Sequence, residues 1–130
     1  MRKSGHEYKL DKEMIIVSET DAGGNIVYAN DDFCKISRYT KDELIGKPYS
    51  MICHPDTPKE AFENLWNTVK NGKVWKGIVK NRAKDGGYYW VHATVYPSVT
   101  TEGEARYFSV RVRPTVDEIE MAEKQYATLQ

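Results

Sequence analysis

The chain has 130 residues, 40% of them hydrophobic, with nineteen Lys and Arg balanced by nineteen Asp and Glu. That length supports one core rather than two, and a formal charge of zero provides no basic field for nucleic acid or anionic lipid. No apolar run approaches the roughly 20 residues that span a bilayer. The opening MRKSGHEYKLDKE lacks a signal-peptide core, and the two cysteines, Cys34 and Cys53, have no metal-ligand spacing, so the chain reads as a cytoplasmic domain with free thiols.

Residues 1–13 are charged without a clear period and read as an N-terminal arm or cap, loose or weakly helical, ahead of a folded body over 14–114 and a linker helix over 115–130. MIIVSET (14–20) and NIVYAN (25–30) are β-branched strands, and the DAGG between them supplies turn residues that accept positive φ, so the pair reads as a hairpin. Asn30 is placed to cap a helix that starts at Asp31. DDFCKISRYTKDELIGKPYSMI (31–52) suits brief helices and loops, with Phe33, Ile36, Leu44, Ile45 and Ile52 as core candidates.

The next helix carries the clearest signals. Thr57 as N-cap, Pro58 at N1 and Glu60 at N3 spell a capping box. Phe62, Leu65, Trp66 and Val69 recur at helical spacing, and Asn71-Gly72 supplies a left-handed end. His54 and Asp56 stand at its threshold.

Strands resume at VWKGIVKNR (74–82), YYWVHATVYP (88–97) and ARYFSVRVRP (105–114). Alternation places Trp75, Gly77, Val79 and Asn81 on the inward face of the first. Trp75 there reads first as core packing. A buried amide needs partners, so Asn81 either bonds neighbouring backbone or reads a bound molecule. On the next strand Tyr89, Val91, Ala93 and Val95 alternate with Trp90, His92, Thr94 and Tyr96, so both faces are apolar and the second should meet another surface. Arg111 shares a face with Ser109 and Arg113. Five strands with helices inserted after the second indicate an antiparallel α+β domain whose sheet order the sequence does not reveal. Thr115 and Glu118 form another capping box, followed by Ile119, Ala122, Tyr126 and Leu129 at a and d spacing. That stripe either packs on its own domain or pairs between subunits.

The segments TDAGGNIVYANDDFCKIS, YTKDELIGKP, HPDTP, GKVWKGIVKNRAKDGGYYWV and SVRVRPT together resemble a PAS domain, and specifically the flavin-binding PAS domains of bacterial aerotaxis receptors, from Ile15 to Ala127. The resemblance implies a five-stranded antiparallel sheet with short helices and one longer helix on one face, and a C-terminal signalling helix. It implies FAD in the cleft between sheet and helices, with His54 and Asp56 near the cofactor, Trp66 beside the flavin ring and Asn81 bonded to the ring's polar edge. Asn30 matches the family's pocket asparagine, Trp75 stands on the inward face, and Arg111 faces the ring, binding either a flavin oxygen or a carboxylate such as Asp56. Two positions depart from the pattern: Cys53 stands where the family has an arginine expected to help hold the cofactor, and Arg38 where it has glycine. Tyr49 stands where light-sensing relatives carry the cysteine that forms a flavin adduct, so adduct chemistry is not expected.

The implied function is that of a redox, oxygen or energy sensor in aerotaxis-type signalling. It would pass the flavin's state to a chemotaxis-type transducer or through a homodimer, with no direct membrane insertion. A haem or other small-ligand sensor, with His54 or His92 as axial ligand, and a cofactor-free dimerisation module are the alternatives. No nucleophile–base spacing, phosphate loop or metal cluster suggests an enzyme. The output surface is expected at Trp90, His92 and Tyr96. The amino-terminal segment (Tyr8, Leu10, Met14, Ile15) or a second subunit would cover it, and the helix from Thr115 to Leu129 would run away from the sheet.

Overall fold

The computed structural model describes residues 5–129, the side chain of Leu129 excepted. The first hairpin forms as its turn residues predict. β1 (Ile16–Asp21) and β2 (Ile26–Ala29) pair antiparallel, the Asp21 carboxylate accepts the N–H groups of Gly23 and Asn25 at 3.0 Å each, and Gly24 takes φ +84°. β3 (Trp75–Arg82), β4 (Tyr88–Val99) and β5 (Ala105–Val112) continue the sheet in the order β2-β1-β5-β4-β3, all neighbours antiparallel. The first strand thus lies beside the last, a long-range pairing that closes the fold around its central segment.

That central segment lies over the inner face of the sheet. α1 (Asp31–Ser37) starts at Asn30, whose side chain accepts the Phe33 N–H, and ends at Arg38 in the left-handed conformation, φ 69°. The strain explains why glycine suits this position. Arg38 faces solvent and lays its guanidinium over the Tyr8 ring, 4.3 Å from the centroid. α2 (Lys41–Leu44) starts with a capping box of Thr40 and Glu43. A single tight helical turn, Tyr49–Ile52, leads into α3 (Lys59–Lys70). Phe33, Ile36, Leu44 and Ile52 are core as expected, whereas Ile45 ends α2 in extended backbone and is exposed.

α3 corrects the predicted cap. Its N-cap is Pro58, without a side-chain bond, and Thr57 instead donates its hydroxyl to the Lys80 carbonyl at 3.3 Å. The edge of β3 presents that carbonyl to the incoming loop, so the hydroxyl satisfies strand rather than helix. Leu65 and Val69 are buried, Phe62 and Trp66 half-buried, and Gly72 (φ +81°) follows the helix.

The outer face holds the larger correction. α4 (Val116–Leu129) is capped by Thr115 and Glu118 as predicted, but it does not run away from the sheet. Ala122 and Tyr126 are buried against Trp90, with Ile119, Ile78 and Tyr88 packed around them, and the Tyr126 and Trp90 rings lie 5.4 Å apart. Glu118 pairs with His92 at 3.3 Å. The chain's own helix covers the Trp90 part of the face assigned to another surface, while Tyr96 stays exposed. Leu129, the fourth residue of the stripe, lies outside the described side chains.

Residues 5–13 of the N-terminal arm are tied down and are not helical. Tyr8 N–H donates to the Tyr88 carbonyl at 2.8 Å and Tyr88 N–H to that of His6 at 3.1 Å. Leu10 and Met14 enter the inner core, while Ile15 is exposed.

Gly77 leaves room for Trp75. The indole folds back over the strand so that a Cβ at Gly77 would stand 2.3 Å from its Cη2, and its Nε1 donates to Asn64 Oδ1 of α3 at 2.9 Å. Gly77→Ala is expected to push the indole out and destabilise the domain by about 1–3 kcal/mol, read as a lower urea midpoint with a shifted tryptophan emission.

Candidate functional site

Between the inner face of the sheet and the central segment runs a cleft. Its walls are Trp66 and Phe62 of α3, the turn at Tyr49, and inward residues of β3, β4 and β5. Tyr49 lines three cavities in it. The outermost, about 240 Å³, opens between the Gly23-Gly24 turn, Ser50, Trp66 and Lys70. Two inner ones of about 10 Å³ lie deeper, one against Leu65, Tyr107 and Ser109, the other against Cys53, Thr57, Ala61 and Asn81. Trp66 walls the first two, with edge contacts to Tyr49, Phe62 and Tyr107 at 6.4, 6.1 and 5.5 Å.

The sheet side of the cleft is polar beyond what its own structure satisfies. Asn81 Nδ2, the Tyr89 hydroxyl, Ser109 Oγ and Arg111 Nε are buried without a hydrogen-bond partner among the described residues. Asn81 and Tyr89 oppose each other across the β3–β4 ladder. Alternation predicted Asn81's burial, and its amide is 1% exposed. Arg111 is 0% exposed. Its guanidinium donates to Ser18 Oγ at 2.6 Å and Tyr49 Oη at 3.1 Å and lies over the Phe33 ring at 4.4 Å, so two neutral hydroxyls serve it rather than Asp56. Burial pushes the Tyr89 phenol well above its usual range, opposed by the nearby Arg111 charge and by the Asn81 amide, which lies beside it without a well-formed bond. A buried cation and orphan donors each cost about 1–3 kcal/mol or more, a cost that an acceptor-bearing ligand would offset.

The structure brings Asn81, Trp66 and Arg111 to this cleft and takes the other predicted residues elsewhere. His54 and Asp56 wrap around the edge of β3. Lys80, on the outer face, pairs with Asp56 at 2.9 Å, and His54 Nδ1 accepts the Asp56 N–H at 3.0 Å. Burial and the Lys80 charge hold the His54 imidazole below its usual pKa, and the bond from Lys80 lowers that of Asp56. The Asn30 amide is engaged by backbone, accepting from Val17 and Phe33 and donating to the Ile15 carbonyl. Trp75 lines a separate groove of about 410 Å³ between α3, the β3 edge and α4. His92, on the outer face, is held by Glu118.

Cys53 is drawn in by backbone rather than motif, forming a bridge to Asn81. Burial raises its thiol pKa from 9.0 to about 11, opposed by Arg111 and Arg82. Because the folded value lies above the unfolded one, the thiol's contribution is intact below pH 9 and declines as pH rises through 11. Cys53→Ala is expected to flatten that alkaline decline by roughly 2–3 kcal/mol, measured as the difference between urea stabilities of the two proteins at pH 8 and pH 11.

Among the described residues no helix is long and apolar enough to cross a membrane, and no group of three His, Cys, Asp or Glu is placed to hold a metal ion. Residues 26–118 match the model of the PAS fold. The chain is 44% identical to the aerotaxis receptor of Escherichia coli (strain K12) over 92% of its own length and 24% of the receptor's, and 30% identical to a nitrogen fixation regulatory protein of Klebsiella pneumoniae over 76% and 20%. It therefore spans about a quarter or less of these relatives. The dark structure of the blue-light photoreceptor Aureochrome1 LOV superposes with a TM-score of 0.73 at 22% identity, covering 87% of this chain and 86% of that one. A five-stranded antiparallel sheet of this order, with its helices over an inner cleft and the sequence match across its core, makes the chain a member of the PAS fold family.

Proposed function

We propose that the chain is a flavin-binding sensor module of bacterial signal transduction, holding FAD in the inner cleft and reporting its redox state in an aerotaxis-type pathway. The observation that carries this reading is the set of buried polar atoms left without a hydrogen bond on one wall of an otherwise aromatic cleft: Asn81 Nδ2, the Tyr89 hydroxyl, Ser109 Oγ and Arg111 Nε. The polar edge of a flavin ring carries carbonyl oxygens and ring nitrogens, which suit donors from an amide and a guanidinium. Trp66 and Phe62 supply the apolar faces such a ring stacks on. The likeness to the aerotaxis receptor supports the same reading.

When bound, the flavin supplies the electron acceptance and release that the chain's own side chains lack. Asn81 and Arg111 would orient its polar edge, and Trp66 would exclude water from one face. Lys70 and Ser50 at the mouth would meet the sugar and phosphates, away from Cys53. Asn81 shares β3 with Ile78 and Lys80, and the Ile78 carbonyl accepts the Tyr126 hydroxyl at 3.4 Å. A change of bonding at Asn81 would therefore reach α4, and through it a partner: a second copy or a chemotaxis-type transducer in the cytoplasm. The module performs no catalysis of its own in this reading.

An absorption spectrum of protein purified from cells tests the proposal. Bands near ~450 nm, characteristic of flavin chemistry, together with release of FAD on denaturation, are expected. A colourless protein that gains no such bands when incubated with FAD would overturn it.

A further inference from the structure

Tyr49 is buried and stands in the middle of the cleft, lining all three of its cavities. The two inner cavities, about 10 Å³ each, hold about one water apiece and no ring. Any planar ligand that reaches Asn81 must take the volume of the phenol. The phenol also does what such a ligand would do: its oxygen accepts from Arg111 Nη1 at 3.1 Å, and its ring lies 5.6 Å beneath the guanidinium.

We propose that Tyr49 is a displaceable occupant of the ring site, a stand-in that serves Arg111 until a flat, acceptor-bearing ligand takes over both the space and the hydrogen bond. The local structure permits the exchange. Tyr49 sits on a single helical turn without a side-chain cap, between exposed Pro48 and Ser50, and it borders the mouth of about 240 Å³ into which the ring can swing. Affinity for the ligand is then set partly by the cost of expelling the phenol, which makes residue 49 a determinant of cofactor retention. The identity of the ligand rests on the flavin reading; the competition itself requires only a planar ring with an acceptor edge.

Tyr49→Phe keeps the ring's packing and removes only the oxygen. In the free protein Arg111 Nη1 loses a partner, whereas in the complex the ligand supplies one, so binding strengthens. FAD and lumiflavin, the bare ring, are titrated into flavin-depleted wild type and variant by fluorescence quenching, with folding checked by circular dichroism. A Kd about tenfold lower for both ligands in the variant is expected, equivalent to about 1.4 kcal/mol. An equal or higher Kd would show that the phenol does not compete, or is itself a ligand contact, and would overturn the inference while leaving the flavin reading intact. If neither protein binds any flavin, that reading falls, and coumarin, a flat carbonyl-bearing ring, is titrated by NMR instead. Tighter binding of coumarin to the variant sustains the inference alone, and no binding to either protein sinks both.

Discussion

Asn81→Leu is expected to abolish flavin binding and leave the domain as stable as before or more so. In most proteins, loss of a bound molecule on mutation is confounded by loss of fold, but here the two separate. Asn81 is 1% exposed and its Nδ2 makes no well-formed hydrogen bond among the described residues, its polar neighbour being the Tyr89 hydroxyl, which is equally short of one, so the free domain bears a poorly compensated amide costing about 1–3 kcal/mol. Leucine has similar volume and no polar atoms to satisfy. The free domain therefore gains or breaks even, while the complex loses a hydrogen bond and presents an apolar group to the ligand's acceptor edge. The combined effect on affinity is expected to exceed about a hundredfold, roughly 2.7 kcal/mol. The ratio of absorbance near ~450 nm to protein, taken with the urea midpoint, measures both. Full flavin occupancy in Asn81→Leu would place the ligand elsewhere. Trp66→Ala is the companion: it removes a wall of the cleft, and both occupancy and stability should fall.

Trp90→Glu is expected to detach α4 and cost about 3–5 kcal/mol, the range for losing a buried indole, with the unpaired carboxylate adding to it. Trp90 is 4% exposed, and Ala122, Tyr126 and Ile119 close over it. Read from the sequence alone, this face is expected to be covered by the amino-terminal segment, a second subunit or a partner, because an aromatic patch on a sheet calls for a cover. With α4 as the cover, the expected result is intramolecular. Hydrogen exchange should rise across Val116–Leu129, and the urea transition should move or split. A change of oligomeric state with unaltered exchange in α4 would instead restore the intersubunit surface.

The features legible in the sequence were those set by short-range periodicity. Alternation with a period of two put Asn81 inward and Trp90 outward. The helical stripe put Trp66 on the face of α3 that lines the cleft. Asn30 and Thr115 were readable as caps because a cap bonds backbone only two or three residues away. Thr57 failed by the same logic: its hydroxyl had a competitor, the Lys80 carbonyl, 23 residues on. His54 and Asp56 lie in a loop without period, and what took them around the edge of β3 was Lys80, on a strand formed later in the chain. The amphipathic pattern of α4 announced an apolar face and not its partner, since burial of apolar area is non-directional. The contact at the centre of the cleft joins Arg111 to Tyr49, 62 residues apart, and exists only because β5 pairs beside β1 and carries the guanidinium under the central segment. Sequence by itself determined which groups are inward, capped or striped, because those properties follow from neighbours a few residues away. The tertiary structure decided which inward groups meet, because that depends on sheet order, and sheet order is chosen by the burial of the whole core.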